Sequence, residues 1–212
     1  MAVVDTNWKN FLSPDSTLPP DVFFLVKGGD EGDKKIAAHK FLLAGTSPVF
    51  NRQFFGPMKD STQEVIEVEN TTPEAFDTMI NYIYKLPGED TFNLDNVSCP
   101  QKLFQLFYLA EKYQIPTLRT MISNALETLD IRRENMIFTA TVAKNYKGMF
   151  GDLAKKVLLK CLEFLFKETR GAGDIFALIM ETKNSFPEAK MQIFQELTDV
   201  GNEILQVPGT SN

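Results

Sequence analysis

Apolar residues along the chain follow two different spacings, and the changes between them define the predicted elements. Runs at 22–26, 36–38 and 65–68 have the length of β-strands. The run at 22–26 is apolar throughout, which predicts a strand covered on both faces. Beyond residue 130 only helical spacing is found. The pattern predicts an α+β fold with a small sheet, followed by an all-α region.

The stretch AHKFLLAGTSPVF at 38–50 predicts a strand end followed by two helices. The first helix carries four consecutive apolar residues, Phe41, Leu42, Leu43 and Ala44. Their density predicts a buried wall. Thr46, Ser47 and Pro48 supply hydroxyl caps and a first-turn proline for the second helix. We therefore expect the two helices to meet at Gly45.

Later helices are predicted from caps, prolines and periodicity. Thr72, Pro73 and Glu74 form a helix start. The helix that follows buries residues at 3.6-residue spacing, namely Phe76, Met79, Ile80, Ile83 and Tyr84. Pro116 separates two further helices. After Asp130 we expect helices at 133–144, 152–167 and 187–205, with a short helix at 176–180.

Composition narrows the function classes. Hydrophobic residues make up 43% of the 212, enough for a buried core, and the net charge is −6, with the acidic excess in residues 1–130. This charge disfavours nucleic-acid binding. No apolar run approaches the roughly 20 residues that span a bilayer. Cys99 and Cys161 are expected to be free thiols in a reducing compartment, so the sequence predicts an intracellular protein, cytoplasmic or nuclear.

Candidate chemistry is sparse. His39 is the sole histidine, and no motif pairs it with either cysteine as a nucleophile. We expect its ring nitrogens to bond to backbone groups. One histidine and two distant cysteines also fall short of a zinc site. The glycines at 28–33 are followed by a strand and mixed with acids, so they predict a hairpin turn rather than a phosphate loop. We predict no enzyme activity, no metal and no cofactor.

Taken in order, these pieces resemble the BTB/POZ domain, an α+β protein-interaction module. The resemblance starts at Asp21 and includes Ala-His-Lys, Ser-Pro-Val-Phe and the Thr-Pro-Glu-Ala-Phe helix that ends in Tyr-Ile-Tyr. It implies a leader at 1–20, a BTB/POZ domain at 21–129, a BACK-like helical region at 130–206 and a flexible tail at 207–212. The BACK part is similar in helix order, beginning at Leu129.

Family members that bind the cullin-3 scaffold carry a hydrophobic-x-Glu motif at a loop that corresponds to Met58-Lys59-Asp60. The resemblance implies cullin contacts by these three residues and by the turn at Tyr113 and Gln114. This chain has Asp60 in place of the motif's Glu. The alternative for Met58 is that it covers the domain's own core.

Asp21 and Lys40 match acidic and basic positions near the homodimer interface of several BTB domains. The alternative is an ordinary intramolecular ion pair. The resemblance thus implies an adaptor that bridges an unknown client to a cullin-3 RING ubiquitin ligase, with homodimerisation. The other function left open is a self-associating scaffold or transcriptional co-regulator that does not bind cullin. Neither function involves nucleic acid contacts by this chain or a membrane.

Overall fold

The structure, a computed structural model, describes residues 19–28, 32–57, 63–84, 99–168, 191–193 and 195–200. The strands are β1 (Val22–Val26), β2 (Lys34–Ala38) and β3 (Val65–Val68). The helices are α1 (Lys40–Thr46), α2 (Pro48–Phe55), α3 (Pro73–Ile83), α4 (Pro100–Lys112), α5 (Pro116–Thr128), α6 (Met136–Tyr146) and α7 (Gly151–Glu168). Residues 191–193 and 195–200 are also helical. The predicted α+β fold is confirmed; the helices expected at 176–180 and over most of 187–205 lie outside the described residues.

Two compact units divide the chain. The first, called the sheet unit, comprises residues 1–97 and Gln105–Ile122. The second, called the helical unit, comprises Ser98–Phe104 and residues 123–212. The division falls inside α4 and α5. The domain limits expected at residues 129 and 130 stay a prediction.

The sheet has the order β2-β1-β3, with β1 antiparallel to β2 and parallel to β3. In β1, Val22, Phe24 and Val26 are fully buried, whereas Phe23 and Leu25 are half-buried. Successive side chains of a strand point to opposite faces, so only one face of β1 is fully covered. The expectation of burial on both faces is wrong. On the outer face, the Lys35 ammonium lies 4.1 Å from the centre of the Phe23 ring.

The hairpin between β1 and β2 confirms the turn predicted from the glycines. Gly32 has φ 82°, a backbone conformation that favours glycine. A Cβ added to Gly28 would lie 1.7 Å from the carbonyl oxygen of Gly32. Glycine is therefore required where the two chain segments approach each other.

Local capping chemistry fixes the helix starts of the sheet unit. Ser47 Oγ accepts a hydrogen bond from the Phe50 N–H at 3.1 Å, and Pro48 occupies the first turn of α2. Thr72 Oγ1 likewise accepts from Ala75 N–H at the start of α3. Both predicted caps are confirmed. The junction of α1 and α2 lies at Ser47, two residues beyond the expected Gly45.

Aromatic rings form the core of the sheet unit. Phe24 of the central strand lies 5.8 Å from Phe50 and 5.0 Å from Phe76, centroid to centroid. Phe50 in turn stacks on Tyr113 at 4.3 Å and on Phe54 at 5.5 Å. One strand, two helices and the end of α4 are thereby joined through a single cluster, which buries large apolar areas in a small volume.

In the helical unit, α6 begins at Met136 and not at Arg133 as the apolar pattern predicted. The Asn135 side chain explains the difference. Its Oδ1 accepts from the Arg132 N–H at 2.8 Å and its Nδ2 donates to the Asp130 carbonyl at 2.9 Å. Asparagine side chains that bond to nearby backbone compete with helix formation, so residues 133–135 form a turn.

Aliphatic packing and an aromatic stack hold the helical unit together. Phe104, Tyr146 and Phe150 stack in sequence, with centroid distances of 5.0 and 5.9 Å. Cys161 of α7 is fully buried, and burial raises the pKa of its thiol to about 12. Both Cys99 and Cys161 are free thiols, as expected. Because the thiolate is the reactive form, the buried Cys161 is chemically quiet.

Lysines of α7 hold the end of α5. The Lys160 ammonium donates to the carbonyl oxygens of Glu127 and Leu129, at 2.6 and 2.8 Å. Lys156 pairs with the Glu127 carboxylate at 2.7 Å. The last carbonyls of a helix have no partner within the helix, so these cations satisfy the end of α5.

Candidate protein-interaction groove

A groove of about 300 Å³ lies beside the edge strand β3 in the sheet unit. Its walls come from α2, β3 and the end of α4: Val49, Arg52, Gln53, Ile66, Glu67, Val68, Lys112 and Tyr113. The groove combines apolar side chains with charged ones at its rim, an arrangement that protein interfaces share.

Helix α2 orients one wall of the groove. Val49, Arg52 and Gln53 are three and four residues apart and therefore share a face. That face is adjacent to the buried stripe of Phe50 and Phe54, whose rings fix the rotation of the helix. The sequence interpretation missed these groove residues, although their spacing beside the apolar stripe was a usable signal.

Tyr113, one of the predicted contact residues, lines the groove from within the core. Its ring is stacked on Phe50 and is only 6% exposed. Burial, with a smaller contribution from Tyr108, raises the pKa of the Tyr113 phenol above its ordinary value. Its backbone carbonyl accepts a hydrogen bond from Ser47 Oγ, which ties the start of α2 to the end of α4. The Tyr113 ring therefore forms part of the groove wall and does not project into solvent.

Gln114, the other predicted residue of this turn, is exposed and has φ 53°, in the left-handed region. Its N–H donates to the Glu111 carbonyl at 3.1 Å, and the Ile115 N–H donates to the Ala110 carbonyl at 2.8 Å. These two bonds make the Schellman motif that ends α4. The motif places the Gln114 side chain at a sharp surface corner next to the groove.

Met58, Lys59 and Asp60 lie outside the described residues. They follow Phe55, the last residue of α2, by three to five positions. Their assignment as cullin contacts stays a prediction.

The Asp21 side chain contacts the backbone of Lys40. The Asp21 carboxylate accepts the Lys40 N–H at 2.7 Å. This bond supplies the cap of α1, because His39 at the N-cap position makes no side-chain cap bond. The Lys40 ammonium lies 5.9 Å from the Phe54 ring centre. Their assignment to a dimer interface stays a prediction.

The only histidine has a side-chain partner that the sequence interpretation did not identify. The Tyr84 hydroxyl oxygen accepts the His39 N–H at 2.7 Å and lies 2.7 Å from His39 Nδ1. Which of the two atoms, Nδ1 or the hydroxyl oxygen, donates in this second bond is set by the histidine tautomer. The expectation of backbone partners is therefore wrong at Nδ1. Burial raises the pKa of Tyr84 to about 12.

Among the described residues, three phenylalanines are largely exposed, and one of them, Phe41, was expected in a buried wall. Phe41 in α1 is 79% exposed, and Phe55 at the end of α2 is 62% exposed. Helix α1 has only seven residues and buries Leu43 and Ala44, so four consecutive apolar residues cannot all face inward. Phe166, near the end of α7, is 63% exposed.

None of the helices in the described ranges is long and apolar enough to cross a bilayer. In the same ranges, no three or more His, Cys, Asp or Glu side chains are placed to hold a metal ion.

A mixed three-stranded sheet packed with short helices, with a groove at its edge, defines an α+β domain. The BTB/POZ domain family matches residues 13–129, which is more than half of the chain. The chain therefore belongs to the BTB/POZ family.

Curated relatives share this domain. A BTB/POZ and MATH domain-containing protein 3 from Arabidopsis thaliana is 30% identical over 156 residues, covering 71% of this chain and 35% of that protein. BTB/POZ domain-containing protein 3 from Homo sapiens is 32% identical over 120 residues, covering 57% of this chain and 21% of that protein. Kelch-like protein 41a from Danio rerio is 32% identical over 100 residues, covering 45% of this chain and 15% of that protein. The chain spans about a third or less of the length of these relatives.

Among solved structures, the BTB domain of zebrafish PATZ1 is similar, with 19% identity and a TM-score of 0.37. The match covers 51% of this chain and 75% of that chain.

Proposed function

We propose that this protein is a non-enzymatic adaptor that bridges a client protein to a cullin-3 RING ubiquitin ligase. The observation that carries the proposal is the groove beside β3, which ends at the turn of Tyr113 and Gln114. In sequence, Met58-Lys59-Asp60 connects the two other walls, α2 and β3. The adaptor's contribution to ubiquitin transfer is proximity, since it raises the local concentration of the client near the ligase.

In this proposal, the cullin inserts an apolar side chain above Val49 and the edge of the Tyr113 ring, and Met58 contributes the matching apolar residue. Asp60 fixes the loop in the role that Glu has in the family motif. The helices after residue 129 form a BACK-like region that positions the client. Such an adaptor works inside the cell, in the cytoplasm or the nucleus.

The test is binding of the full chain to the N-terminal domain of cullin-3, measured by isothermal titration calorimetry. We expect micromolar affinity or better for the wild type. Met58→Glu should weaken binding by about tenfold or more, because an anchor residue dominates such interfaces. Met149 is 59% exposed in the helical unit, so Met149→Glu is the matched control and should bind like the wild type.

The adaptor function and the assigned contact are tested by different results. Absence of wild-type binding would overturn the adaptor function. Equal binding by Met58→Glu and Met149→Glu would overturn the assigned contact. Fluorescence imaging of the tagged protein in cells tests the intracellular location.

The second candidate function is self-association without cullin, through the surface of α1. It is favoured by the 79% exposure of Phe41, which directly follows the dimer candidate Lys40. We infer that Phe41 and Lys40 lie on a surface through which two copies of the chain associate. Light scattering should then show a dimer that Phe41→Glu converts to a monomer. Phe166, in the helical unit, is 63% exposed, and Phe166→Glu should leave the dimer intact.

A further inference from the structure

The groove carries an excess of positive charge although the whole chain has a net charge of −6. Arg52 lies on one wall and Lys112 on the other. Both side chains are exposed, and neither forms an ion pair within the described residues. Lys112 lies over the Tyr108 and Tyr113 rings, at 5.8 and 5.6 Å from their centres. These rings hold the ammonium at the edge of the groove.

The acidic side chains near the groove lie close to other cations. Glu67 is the only carboxylate among the groove residues, and its Oε1 is 4.0 Å from the Lys27 ammonium. Glu111, next to Lys112 in α4, forms an ion pair with Arg119. The groove therefore presents two cations whose charge is not balanced by the acids beside them.

We propose that Arg52 and Lys112 select a partner segment that carries a carboxylate next to an apolar side chain. The apolar side chain occupies the surface of Val49 and Tyr113, and the carboxylate lies between the two cations. Arginine offers a planar, two-pronged donor to a carboxylate, and lysine adds a point charge. The inference rests on the proposed function for the identity of the partner as cullin-3, but the charge selection belongs to the groove itself.

The first test measures cullin-3 binding by variants that remove charge. Arg52→Gln and Lys112→Gln should each weaken binding by about three- to tenfold, as expected for partly desolvated charge pairs. Arg52→Lys, which keeps the charge, should stay within about threefold of the wild type. Lys102 is an exposed lysine at the start of α4 that does not line the groove, so Lys102→Gln is the matched control. Added salt should weaken wild-type binding more than binding by the double variant Arg52→Gln, Lys112→Gln.

A second test does not depend on cullin. Two labelled hexapeptides of alternating residues, Leu with Glu and Leu with Lys, are titrated into the full chain and followed by NMR. The Leu-Glu peptide should shift the resonances of Val49 and Tyr113, and the double variant should lose this response. The Leu-Lys peptide should leave those resonances unchanged.

The outcomes distinguish this inference from the proposed function. If cullin-3 binds with Met58→Glu sensitivity but without dependence on Arg52 or Lys112, the charge selection is overturned and the adaptor function stands. If cullin-3 does not bind while the Leu-Glu peptide does, the charge selection stands and the adaptor function falls. Equal responses to both peptides, or none, overturn the charge selection.

Discussion

The two units of this chain are stabilised in different ways. In the sheet unit, residues far apart in sequence are joined by single polar bonds around an aromatic cluster, as with Ser47 and the Tyr113 carbonyl. In the helical unit, buried aliphatic residues form the core and the polar pairs lie nearer the surface, as with Lys156 and Glu127. A unit held by a few specific bonds should lose much stability when one is removed. A unit held by packing should tolerate polar changes.

The largest effect is expected from Phe24→Ala in the sheet unit. Phe24 is fully buried and contacts Phe50, Phe54 and Phe76. Loss of the ring leaves a cavity, so the free energy of unfolding should fall by about 3–5 kcal/mol. Urea denaturation followed by circular dichroism measures this. The exposed Phe41 provides the matched control, since Phe41→Ala should change stability by less than about 0.5 kcal/mol; similar losses for both would contradict the aromatic core.

Ser47→Ala tests the bond between α2 and α4. Ser47 Oγ accepts from the Phe50 N–H and donates to the Tyr113 carbonyl, so alanine removes a cap and a long-range bond together. We expect a loss of about 1–3 kcal/mol in urea denaturation. Thr46, its exposed neighbour, donates only to the Leu42 carbonyl of its own helix, so Thr46→Ala should cost less than about 0.5 kcal/mol. Equal costs for the two variants would contradict a stabilising role for both the cap and the long-range bond of Ser47.

Ser47 and Tyr113 also show how far the sequence could predict the fold. Ser47 was identified as a cap because the signal is local, a hydroxyl residue directly before a proline and an apolar pattern. Its bond to Tyr113 was not predicted, because it joins residues 66 positions apart. Such a contact follows from the packing of the finished fold and leaves no local pattern.

The same limit applies to the groove and to exposure. The turn at Tyr113 and Gln114 was predicted from family resemblance, whereas Arg52 and Lys112 were missed, because cations on helices usually mark nothing more than a solvated face. Phe41 was placed in the core since a seven-residue helix is too short for its apolar period to define one face. The fold class thus follows from periodicity and caps. Which residues lie on the surface depends on tertiary packing, which leaves no local pattern in the sequence.

Tyr84→Phe tests the buried bond to His39 and has a characteristic pH dependence. Phenylalanine cannot accept the His39 N–H, so stability at pH 7 should fall by about 1–2 kcal/mol. Burial raises the Tyr84 pKa from 10.0 to about 12. The folded state therefore holds this proton more tightly than the unfolded state. The stability that protonated Tyr84 contributes is complete below pH 10 and is lost between pH 10 and 12.

Denaturation curves at pH 7, 9, 10 and 11 check this expectation. The stability difference between wild type and Tyr84→Phe should be constant up to about pH 9 and should shrink above pH 10. The variant should still lose some stability at high pH, because the pKa of Tyr113 is also raised by burial. A stability difference that grows above pH 10 would contradict the raised pKa of Tyr84.

The smallest expected effect, and one in the opposite direction, concerns the helical unit. Thr139 in α6 is fully buried, and its Oγ1 has no hydrogen-bond partner. Thr139→Val replaces that hydroxyl with a methyl group of similar size and removes the cost of the unpaired group, so stability should rise by about 1 kcal/mol. Thr141 lies in the same helix and donates to the Ile137 carbonyl at 2.8 Å, so Thr141→Val should be neutral or slightly destabilising. If Thr139→Val lowered the urea midpoint instead, the helical unit would depend on a polar bond at this position, and the contrast between the two units would fail there.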